Sequence, residues 1–390
     1  MKSIKNKIHN IFLCLTSTLL LSVAVICVAA RIYETNPQPP LDLMAAEMTF
    51  PTGNAEYSKP LDRSSENNSS PAETSSGESE QPLTAVTDTS EVSVGYNNPS
   101  QQQQNQADDV FQASEPTKKE LTQYDKDHKG EDKYPVTEFN TTTGNQSYGN
   151  VQIKNASSAN IDIAEELEGK LGFTIEKNNQ PQVLIYHTHT SESFLKYDTG
   201  YFYDSFYPRT TDPSQNVCAV GDEITKQLNK AGIKTIHDTT VHDYPSYNGA
   251  YNRSLETINK YLKKYPSIKV VLDIHRDGIG TDNSKSKPVF TVDEKKAAQV
   301  MILSGYNYDE SEEFEDWEYN LRFALKIQHT AAEMYPEMMR PLYFADFMYN
   351  MNVNTGSLLI EIGAEANTIE EVRYSGYLLG KVLVQTLSTA

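Results

Sequence analysis

Residues 183–193 read VLIYHTHTSES, a short apolar run that ends in a cluster of histidine, threonine, serine and glutamate side chains. Two later stretches repeat this design, VVLDIHRDG at 270–278 and LLIEIGAEANT at 358–368. Continuous apolar runs of this length are typical of strands that are buried on both faces of a sheet. Because ligands of open sheets bind beyond the carboxyl ends of the strands, the three polar clusters predict one shared site at one sheet edge.

The sequence around these runs alternates short apolar segments with longer amphipathic ones. Such alternation predicts strands at 183–187, 233–237, 268–274, 299–304 and 357–362, and helices near 215–230, 250–264, 312–335 and 369–387. A helix between successive strands implies mostly parallel pairing with right-handed crossovers. The prediction for residues 178–390 is therefore an α/β domain, a mostly parallel open sheet with helices on both faces. The amphipathic stretch 161–171 predicts a short helix packed on this domain.

The N-terminus predicts a membrane anchor. Residues 11–30 carry no charged side chain, and about 20 apolar residues suffice for a helix to cross a bilayer. The lysines at positions 2, 5 and 7 place residues 1–10 in the cytoplasm by the positive-inside rule. We therefore expect a single-pass protein of the cytoplasmic membrane with its C-terminal domain outside. The alternative is a cleaved signal peptide, which exports the remainder as well.

Residues 31–177 are acidic and rich in Ser, Thr, Asn, Gln and Pro, a composition that predicts a disordered linker. The whole chain has a net charge of −19, from 34 basic and 53 acidic side chains. This charge repels phosphate backbones and argues against nucleic-acid binding. Two of the three cysteines fall within 11–30, so neither a disulfide framework nor a cysteine zinc cluster is predicted.

The polar clusters contain the ligand types of zinc, which binds neutral imidazole and carboxylate groups. His189 and Glu192 lie three residues apart after the first apolar run, and His275 from the second cluster completes a set of three. Glu361 is the candidate catalytic carboxylate, which takes a proton from water and returns it to a leaving amine. The structural alternative for each histidine is a hydrogen-bonded group without a metal.

Three further residues are candidates for supporting roles. His187 is either a third imidazole near the metal or a partner of the ligands, and we favour the partner. Arg276 and Arg340 are candidates to bind a substrate carboxylate or phosphate. The equally good alternative is that they pair with Asp277 or Asp346.

Residues 197–207, YDTGYFYDSFY, are unusually rich in aromatic side chains. Such a stretch predicts either a groove for a sugar or peptide polymer or a surface loop with aromatic anchors. Neither Cys218 nor Ser191 has the sequence context of a catalytic nucleophile, so no covalent mechanism is expected.

The three motifs in this order, behind one N-terminal span and a variable tether, resemble the stage II sporulation protein P family over the whole C-terminal half. That family is similar to the zinc-dependent N-acetylmuramoyl-L-alanine amidases, which cut between the muramic lactyl group and the first L-alanine of the peptidoglycan stem. It is also credited with endopeptidase action on cross-links. The resemblance implies an enzyme that degrades peptidoglycan during engulfment at the sporulation septum, with the stage II sporulation proteins D and M as partners.

The resemblance also implies roles for individual residues. It makes His189 and His275 the imidazole ligands of Zn²⁺ and Glu361 the catalytic carboxylate. In the general amidases the glutamate ligand lies near the start of the next helix, where residues 213–217 hold no glutamate, so this chain departs from the pattern and Glu192 is assigned instead. The spacing also resembles the zinc carboxypeptidases, and a non-catalytic scaffold that binds the wall is the remaining alternative.

Overall fold

The computed structural model describes residues 111–307 and 314–388. All elements below belong to the compact unit that contains Ala113–Ala390, whereas residues 111 and 112 belong with the segment Gly53–Gln112. The predicted anchor at 11–30 and the predicted linker up to residue 110 lie outside the described residues. Within the described part, no helix combines the length and the apolar character that a membrane crossing requires.

The described residues form six α-helices and thirteen strands. The helices are α1 Lys118–Asp127, α2 Ile163–Glu168, α3 Val217–Lys230, α4 Ala250–Lys264, α5 Trp317–Met334 and α6 Ile369–Ser388. The strands are β1 Lys133–Phe139, β2 Gln146–Tyr148, β3 Val151–Asn155, β4 Val183–Tyr186, β5 Tyr201–Tyr203, β6 Thr235–His237, β7 Val270–Asp277, β8 Gly280–Thr281, β9 Ser284–Val292, β10 Lys295–Ala298, β11 Val300–Gly305, β12 Leu342–Ala345 and β13 Ser357–Ala364.

The larger sheet has the order β2-β3-β12-β11-β13-β7-β4-β6. The strands that carry the three sequence motifs, β4, β7 and β13, are parallel neighbours in its centre. Every residue of these three strands is buried, which explains their continuous apolar runs. Because the three strands run in the same direction, their polar ends lie at one edge of the sheet, as the sequence predicts.

The pairing is less uniform than predicted. β11, from the predicted strand 299–304, pairs antiparallel with β13, and β2 pairs antiparallel with β3. The sheet therefore contains two blocks of opposite direction, β6-β4-β7-β13 and β11-β12-β3. The last strand of the chain, β13, inserts between β11 and β7, an order that local sequence patterns do not encode.

The prediction of a disordered linker is wrong for the last part of 31–177. β3 pairs with β12 in the larger sheet, with Val151 and Ile153 fully buried. β1 lies between β9 and β5 in a second sheet, of order β10-β9-β1-β5. These segments pair with strands far away in sequence, so their own polar composition does not reveal the pairing. The α/β domain thus begins well before residue 178.

Helices cover both faces of the larger sheet, as predicted. Ile258 of α4 packs against Leu184 and Val271 on one face. On the other face, α3 packs against α6, where a Cβ on Gly376 would lie 2.8 Å from a backbone oxygen of α3. The short helix α2 packs on α5 and is tied to it by Arg322 and Glu166, 2.7 Å apart.

Candidate metal centre

His189 lies in a tight turn that follows β4. The Thr190 hydroxyl donates to the carbonyl of His187 (2.9 Å), and the backbone N–H of Glu192 donates to the carbonyl of His189 (3.0 Å). These local bonds satisfy the turn internally, so the imidazole and the carboxylate are held on the same side of it. The turn is nevertheless buried, with His189 and Glu192 each 2% exposed.

The structure brings together the three residues that the sequence predicts as ligands. One ligand-type atom from each of His189, Glu192 and His275 lies within 4.8 Å of the other two. The Nδ1 atom of His189 is 3.7 Å from Glu192 Oε1, and the Nδ1 atom of His275 is 3.5 Å from Glu192 Oε2. We call these three residues the metal centre. Its two imidazoles and one carboxylate are a donor set that suits zinc.

The polar atoms of this group fit a cation. The Nδ1 atoms of His189 and His275 are both buried and have no hydrogen-bond partner. Buried polar atoms are nearly always satisfied, because leaving one unpaired costs about 1–3 kcal/mol. Burial lowers the pKa of His189 to about 3, which keeps this imidazole in the neutral form that binds metals. Burial acts to lower the pKa of His275, but the carboxylates of Asp273 and Glu192 outweigh it and raise the pKa, so a cation held by both nitrogens and by Glu192 would take the place of its proton.

Asp273 orients His275 from the same strand. Its Oδ1 atom lies 2.9 Å from His275 Nε2, and its carboxylate also accepts bonds from the Thr188 backbone N–H (2.8 Å) and hydroxyl (2.6 Å). A carboxylate on the second nitrogen fixes the ring of a metal-binding histidine and makes it a better ligand. The sequence motif contained Asp273 without a role for it. The signal was its spacing, since residues two apart on a strand share one face.

Glu192 is held from two further directions. The backbone N–H of Arg276 donates to its Oε2 atom (3.1 Å), and Arg209 Nη2 lies 3.9 Å from its Oε1 atom. Burial acts to raise the pKa of Glu192, but the charges of His275 and Arg276 outweigh it and hold the pKa far below its usual value. Glu192 is therefore an ionised carboxylate inside a buried site.

Tyrosines close the centre on its open side. The ring of Tyr247 stacks on His189, with centroids 4.4 Å apart and an interplanar angle of 23°. Tyr251 meets the same imidazole edge-on at 5.5 Å. Tyr247 precedes α4 and Tyr251 lies in its first turn. Both reach the site only through tertiary packing, so the sequence offered no signal for either.

Glu361 lies on β13 directly opposite His275 of β7. It is 2% exposed, and its Oε2 atom has no hydrogen-bond partner. Burial raises the pKa of Glu361 to about 8. The carboxyl group thus stands beside the metal centre with one free oxygen. A β-bulge follows it, with Gly363 at φ 63°, where a Cβ would lie 2.5 Å from Asn367.

His187 is placed behind the metal centre and outside the ligand group. Its Nδ1 atom donates to the carbonyl of Ile274 (2.8 Å), and its Nε2 atom lies 2.8 Å from His237 Nε2. His237 in turn contacts Asp222 at 2.9 Å. The favoured alternative, a partner that supports the ligands, agrees with this geometry because Ile274 is the residue before His275.

The two arginines are engaged with protein acceptors. Arg276 donates to Glu365 (3.2 Å) and to the carbonyl of Pro208 (2.7 Å), which ties the end of β7 to the loop around residue 208. Arg340 donates to Asp277 at 2.9 Å. The sequence left two interpretations open, binding of a substrate anion and pairing with a carboxylate of the chain itself. The geometry favours the second, and the partner of Arg340 is Asp277.

An open cleft of about 920 Å³ adjoins the metal centre. Glu192 is among its lining residues, and its walls come mainly from the segments 207–211 and 243–247. Its lining comprises Ser191, Glu192, Tyr207, Pro208, Arg209, Thr210, Thr211, Asp243, Tyr244, Pro245, Tyr247, Arg276, Gly278 and Glu365. Of the three residues of the metal centre, Glu192 is the one that lines this cleft.

A second group of ligand-type side chains lies elsewhere and serves as a contrast. One carboxylate oxygen from each of Glu138, Asp198 and Glu371 lies within 4.8 Å of the other two. The ammonium of Lys287 lies 3.2, 2.9 and 2.7 Å from these carboxylates, and Lys296 contacts Glu138 and Asp198 as well. We call this group the lysine cluster. The chain itself supplies its cations.

Comparisons with known proteins place the chain in a family. A family model described as stage II sporulation protein P matches residues 52–384. The stage II sporulation protein P of Bacillus subtilis strain 168 is 26% identical over 208 residues, which cover 49% of this chain and 47% of that protein. The chain therefore spans about half the length of this curated relative.

Solved structures with weak similarity include two amidases. The N-acetylmuramoyl-L-alanine amidase AmiC2 of Nostoc punctiforme is 11% identical, with a TM-score of 0.32, and covers 55% of this chain and 97% of its own. The CwlD amidase of Clostridioides difficile, in complex with the GerS lipoprotein, is 13% identical, with a TM-score of 0.32, and covers 54% of this chain and 100% of its own. The resemblance expected from the three motifs is confirmed by the family match over most of the chain: this protein belongs to the stage II sporulation protein P family.

Proposed function

We propose that this chain is a zinc-dependent peptidoglycan hydrolase, an N-acetylmuramoyl-L-alanine amidase with endopeptidase activity, that degrades cell wall during engulfment in sporulation. The observation that carries the proposal is the buried metal centre with two unpartnered imidazole nitrogens and Glu361 on the adjacent strand. Family membership supports the sporulation role and the wall as substrate.

His189, Glu192 and His275 would hold the zinc ion, which supplies Lewis-acid polarisation of the scissile amide carbonyl. Glu361 accepts the proton of the attacking water at its free Oε2 atom and returns it to the leaving nitrogen. Burial alone raises the pKa of Glu361 to about 8, and a cation on the three ligands would lower it, toward values at which the carboxyl group can both accept and return a proton near neutral pH.

The neighbouring residues keep the reacting groups in place. Asp273 fixes the ring of His275, and the backbone N–H of Arg276 fixes the Glu192 carboxylate. Tyr247 covers the face of His189 and keeps water from that side of the imidazole. A site held this firmly loses little free energy to reorganisation when charge develops on the substrate.

The test is to combine metal analysis of the purified full chain with mass spectrometry of digested peptidoglycan. We expect about one zinc per chain. Glu361→Gln should slow hydrolysis by about 10²–10⁴-fold while the zinc content stays the same. Glu333→Gln is the matched control, because this glutamate is 62% exposed on α5 and should change neither quantity. Undiminished hydrolysis by Glu361→Gln would contradict the assignment.

The products distinguish the activities. Free stem peptides that begin with L-alanine identify an amidase, and cleaved cross-links identify the endopeptidase activity. Release of single C-terminal residues would mean that the chain acts as a zinc carboxypeptidase instead. Binding of intact wall by a zinc-free chain that cleaves nothing would mean a scaffold.

The proposal includes a location and partners. Residues 11–30 would anchor the chain in the cytoplasmic membrane, with residues 1–10 in the cytoplasm and the domain outside, at the sporulation septum. The family resemblance supports the stage II sporulation proteins D and M as partners there. Protease treatment of intact cells should digest the domain only after the outer wall is opened, and cross-linking should recover D and M.

A further inference from the structure

Two exposed tyrosines flank the cleft beside the metal centre. The exposed large hydrophobic side chains of the described residues are Tyr148, Tyr207 and Tyr244, at 53%, 72% and 66%. Tyr207 and Tyr244 both line this one cleft, together with Glu192 of the metal centre. Aromatic side chains that remain in water next to a functional site commonly mark a binding surface.

The wall that carries Tyr207 is fixed to the metal centre. The carbonyl of Pro208, the next residue, accepts bonds from the backbone of Ser193 (3.2 Å) and from Arg276 (2.7 Å). The backbone N–H of Thr210 donates to the carbonyl of Ser191 at 2.8 Å. Tyr207 therefore stands on a rigid strip that is bonded to both sides of Glu192.

The opposite wall, with Tyr244, is fixed to the same turn. The carboxylate of Asp243 accepts bonds from the Ser191 backbone N–H (3.0 Å), from its hydroxyl (2.6 Å) and from Arg209 (2.7 Å). Arg209 also lies over the ring of Tyr247 at 4.8 Å. The two segments that carry the exposed rings are thus both bonded to the turn that contains Glu192.

The charges of the cleft decide which part of the substrate it receives. Arg209 and Arg276 are the basic side chains among the described residues that line it. Arg209 is paired with Asp243, and Arg276 with Glu365 and the carbonyl of Pro208. The cleft therefore offers no uncommitted cation for the carboxylates of a stem peptide. It offers aromatic faces and hydroxyls, which suit an uncharged sugar ring with its apolar C–H face and polar rim.

We propose that Tyr207 and Tyr244 form the glycan subsite of this enzyme, stacking on sugar rings of the strand while the adjoining amide lies at the metal centre. The proposal rests on the proposed function, since it assigns one part of the peptidoglycan to one part of the same site. It makes the two tyrosines substrate-positioning residues that act through binding.

The test measures binding by calorimetry, with the zinc-loaded full chain and two separate probes. The first probe is an uncharged oligomer of N-acetylglucosamine, which has the N-acetylated sugar rings of the glycan strand without lactyl carboxylates, and the second is the free stem peptide. Each of Tyr207→Ala and Tyr244→Ala should weaken glycan binding by roughly three- to tenfold, with little change for the peptide. Tyr207→Phe and Tyr244→Phe keep the ring and should bind nearly as the parent chain does. Tyr148→Ala is the control, because this exposed tyrosine lies outside the lining of the cleft.

The alanine variants should also raise KM on intact peptidoglycan and leave kcat nearly unchanged, because they remove binding that precedes the chemical step. Unchanged glycan binding by the double alanine variant would overturn the inference. Weakened binding of the stem peptide alone would overturn it too and assign the cleft to the peptide. If glycan binding depends on the tyrosines but the parent chain cleaves no peptidoglycan, the subsite stands and the proposed function fails.

Discussion

The metal centre and the lysine cluster contain similar numbers of ligand-type side chains at similar separations, yet they differ in what neutralises them. In both groups three side chains offer atoms within 4.8 Å of one another. In the lysine cluster the Lys287 ammonium contacts all three carboxylates within 3.2 Å. In the metal centre Arg209 lies 3.9 Å from Glu192, and the Nδ1 atoms of His189 and His275 make no hydrogen bond. Proximity of ligand atoms alone therefore does not indicate a metal site; unsatisfied buried nitrogens beside them do.

The largest expected effect comes from removing a ligand. His189→Gln should reduce zinc binding to a small fraction and hydrolysis by more than about 10³-fold, because an amide side chain is a poor substitute for imidazole. The fold should persist, since the Nδ1 atom of His189 bonds no protein group. Metal analysis, peptidoglycan digestion and circular dichroism check the three statements. Full zinc occupancy in this variant would mean that His189 is not a ligand, and the metal centre would then differ from the lysine cluster in no metal-binding property.

The second effect is on stability and should occur only in the lysine cluster. Lys287→Met removes a cation that is 1% exposed and leaves Glu371, 6% exposed, without its charge partner. We expect the free energy of unfolding to fall by roughly 3 kcal/mol. Zinc content should not change. Lys296→Met is the control, because this lysine is 43% exposed and should cost less than about 1 kcal/mol. Urea denaturation of the three chains gives the answer.

The third effect concerns the carboxylate that supports the ligand His275. Asp273→Asn keeps the shape of the side chain but removes its negative charge from His275 Nε2. Zinc affinity should fall by about 10- to 100-fold, as is usual when such a supporting carboxylate is lost. Competition with a chromogenic chelator measures this change. An unaltered affinity would mean that Asp273 serves the Thr188 turn and not the ligand.

The smallest effect is the response of the lysine cluster to acid. Burial acts to raise the pKa of Asp198, but the hydrogen bonds and charges of Lys287 and Lys296 outweigh it and leave the pKa below its usual value. A carboxyl group with a lowered folded pKa contributes stability that is present above its unfolded pKa of about 3.9 and is lost as the pH falls through the folded pKa. Because Asp198 is 38% exposed, the loss below pH 4 should stay under about 1 kcal/mol.

Denaturation at a series of pH values, compared between the parent chain and Lys287→Met, isolates this contribution. The variant should show a shallower loss between about pH 5 and pH 3, since its Asp198 has lost one of the two ammonium groups that lower its pKa. Equal slopes would show that the cluster does not contribute to acid sensitivity.

The sequence revealed the parts of the fold that carry a strong local signal. The apolar runs of β4, β7 and β13 predicted the sheet centre, and the polar residues that end them predicted which side chains would meet. The edges were missed because their signals are weak. β9 and β10 join through Asp293 and Glu294, both with positive φ (50° and 62°), so the glycine or asparagine that usually marks such a hairpin is absent.

The candidate site shows the same division. His189, Glu192, His275 and Glu361 lie within the motifs and were named from the sequence, although their roles stay predictions until metal and activity are measured. Tyr247 belongs to a loop that meets His189 only after the chain has folded. No spacing rule connects two residues on separate loops, so the residues that cover and position the ligands emerge from the structure alone.

The position of β3 has a consequence for how this protein is made. Ser158, just after β3, bonds Asp346, just after β12, across 188 residues of chain. β3 can pair with β2 in a local hairpin, but its other edge must wait, with its hydrogen-bonding groups open, until β12 has been synthesised. For a polypeptide that emerges from its N-terminus, the larger sheet can be completed only when nearly all of it has been delivered. Residues 111–177, which a domain boundary at residue 178 would exclude, are therefore synthesised before the rest of the domain and complete their strand pairing among the last.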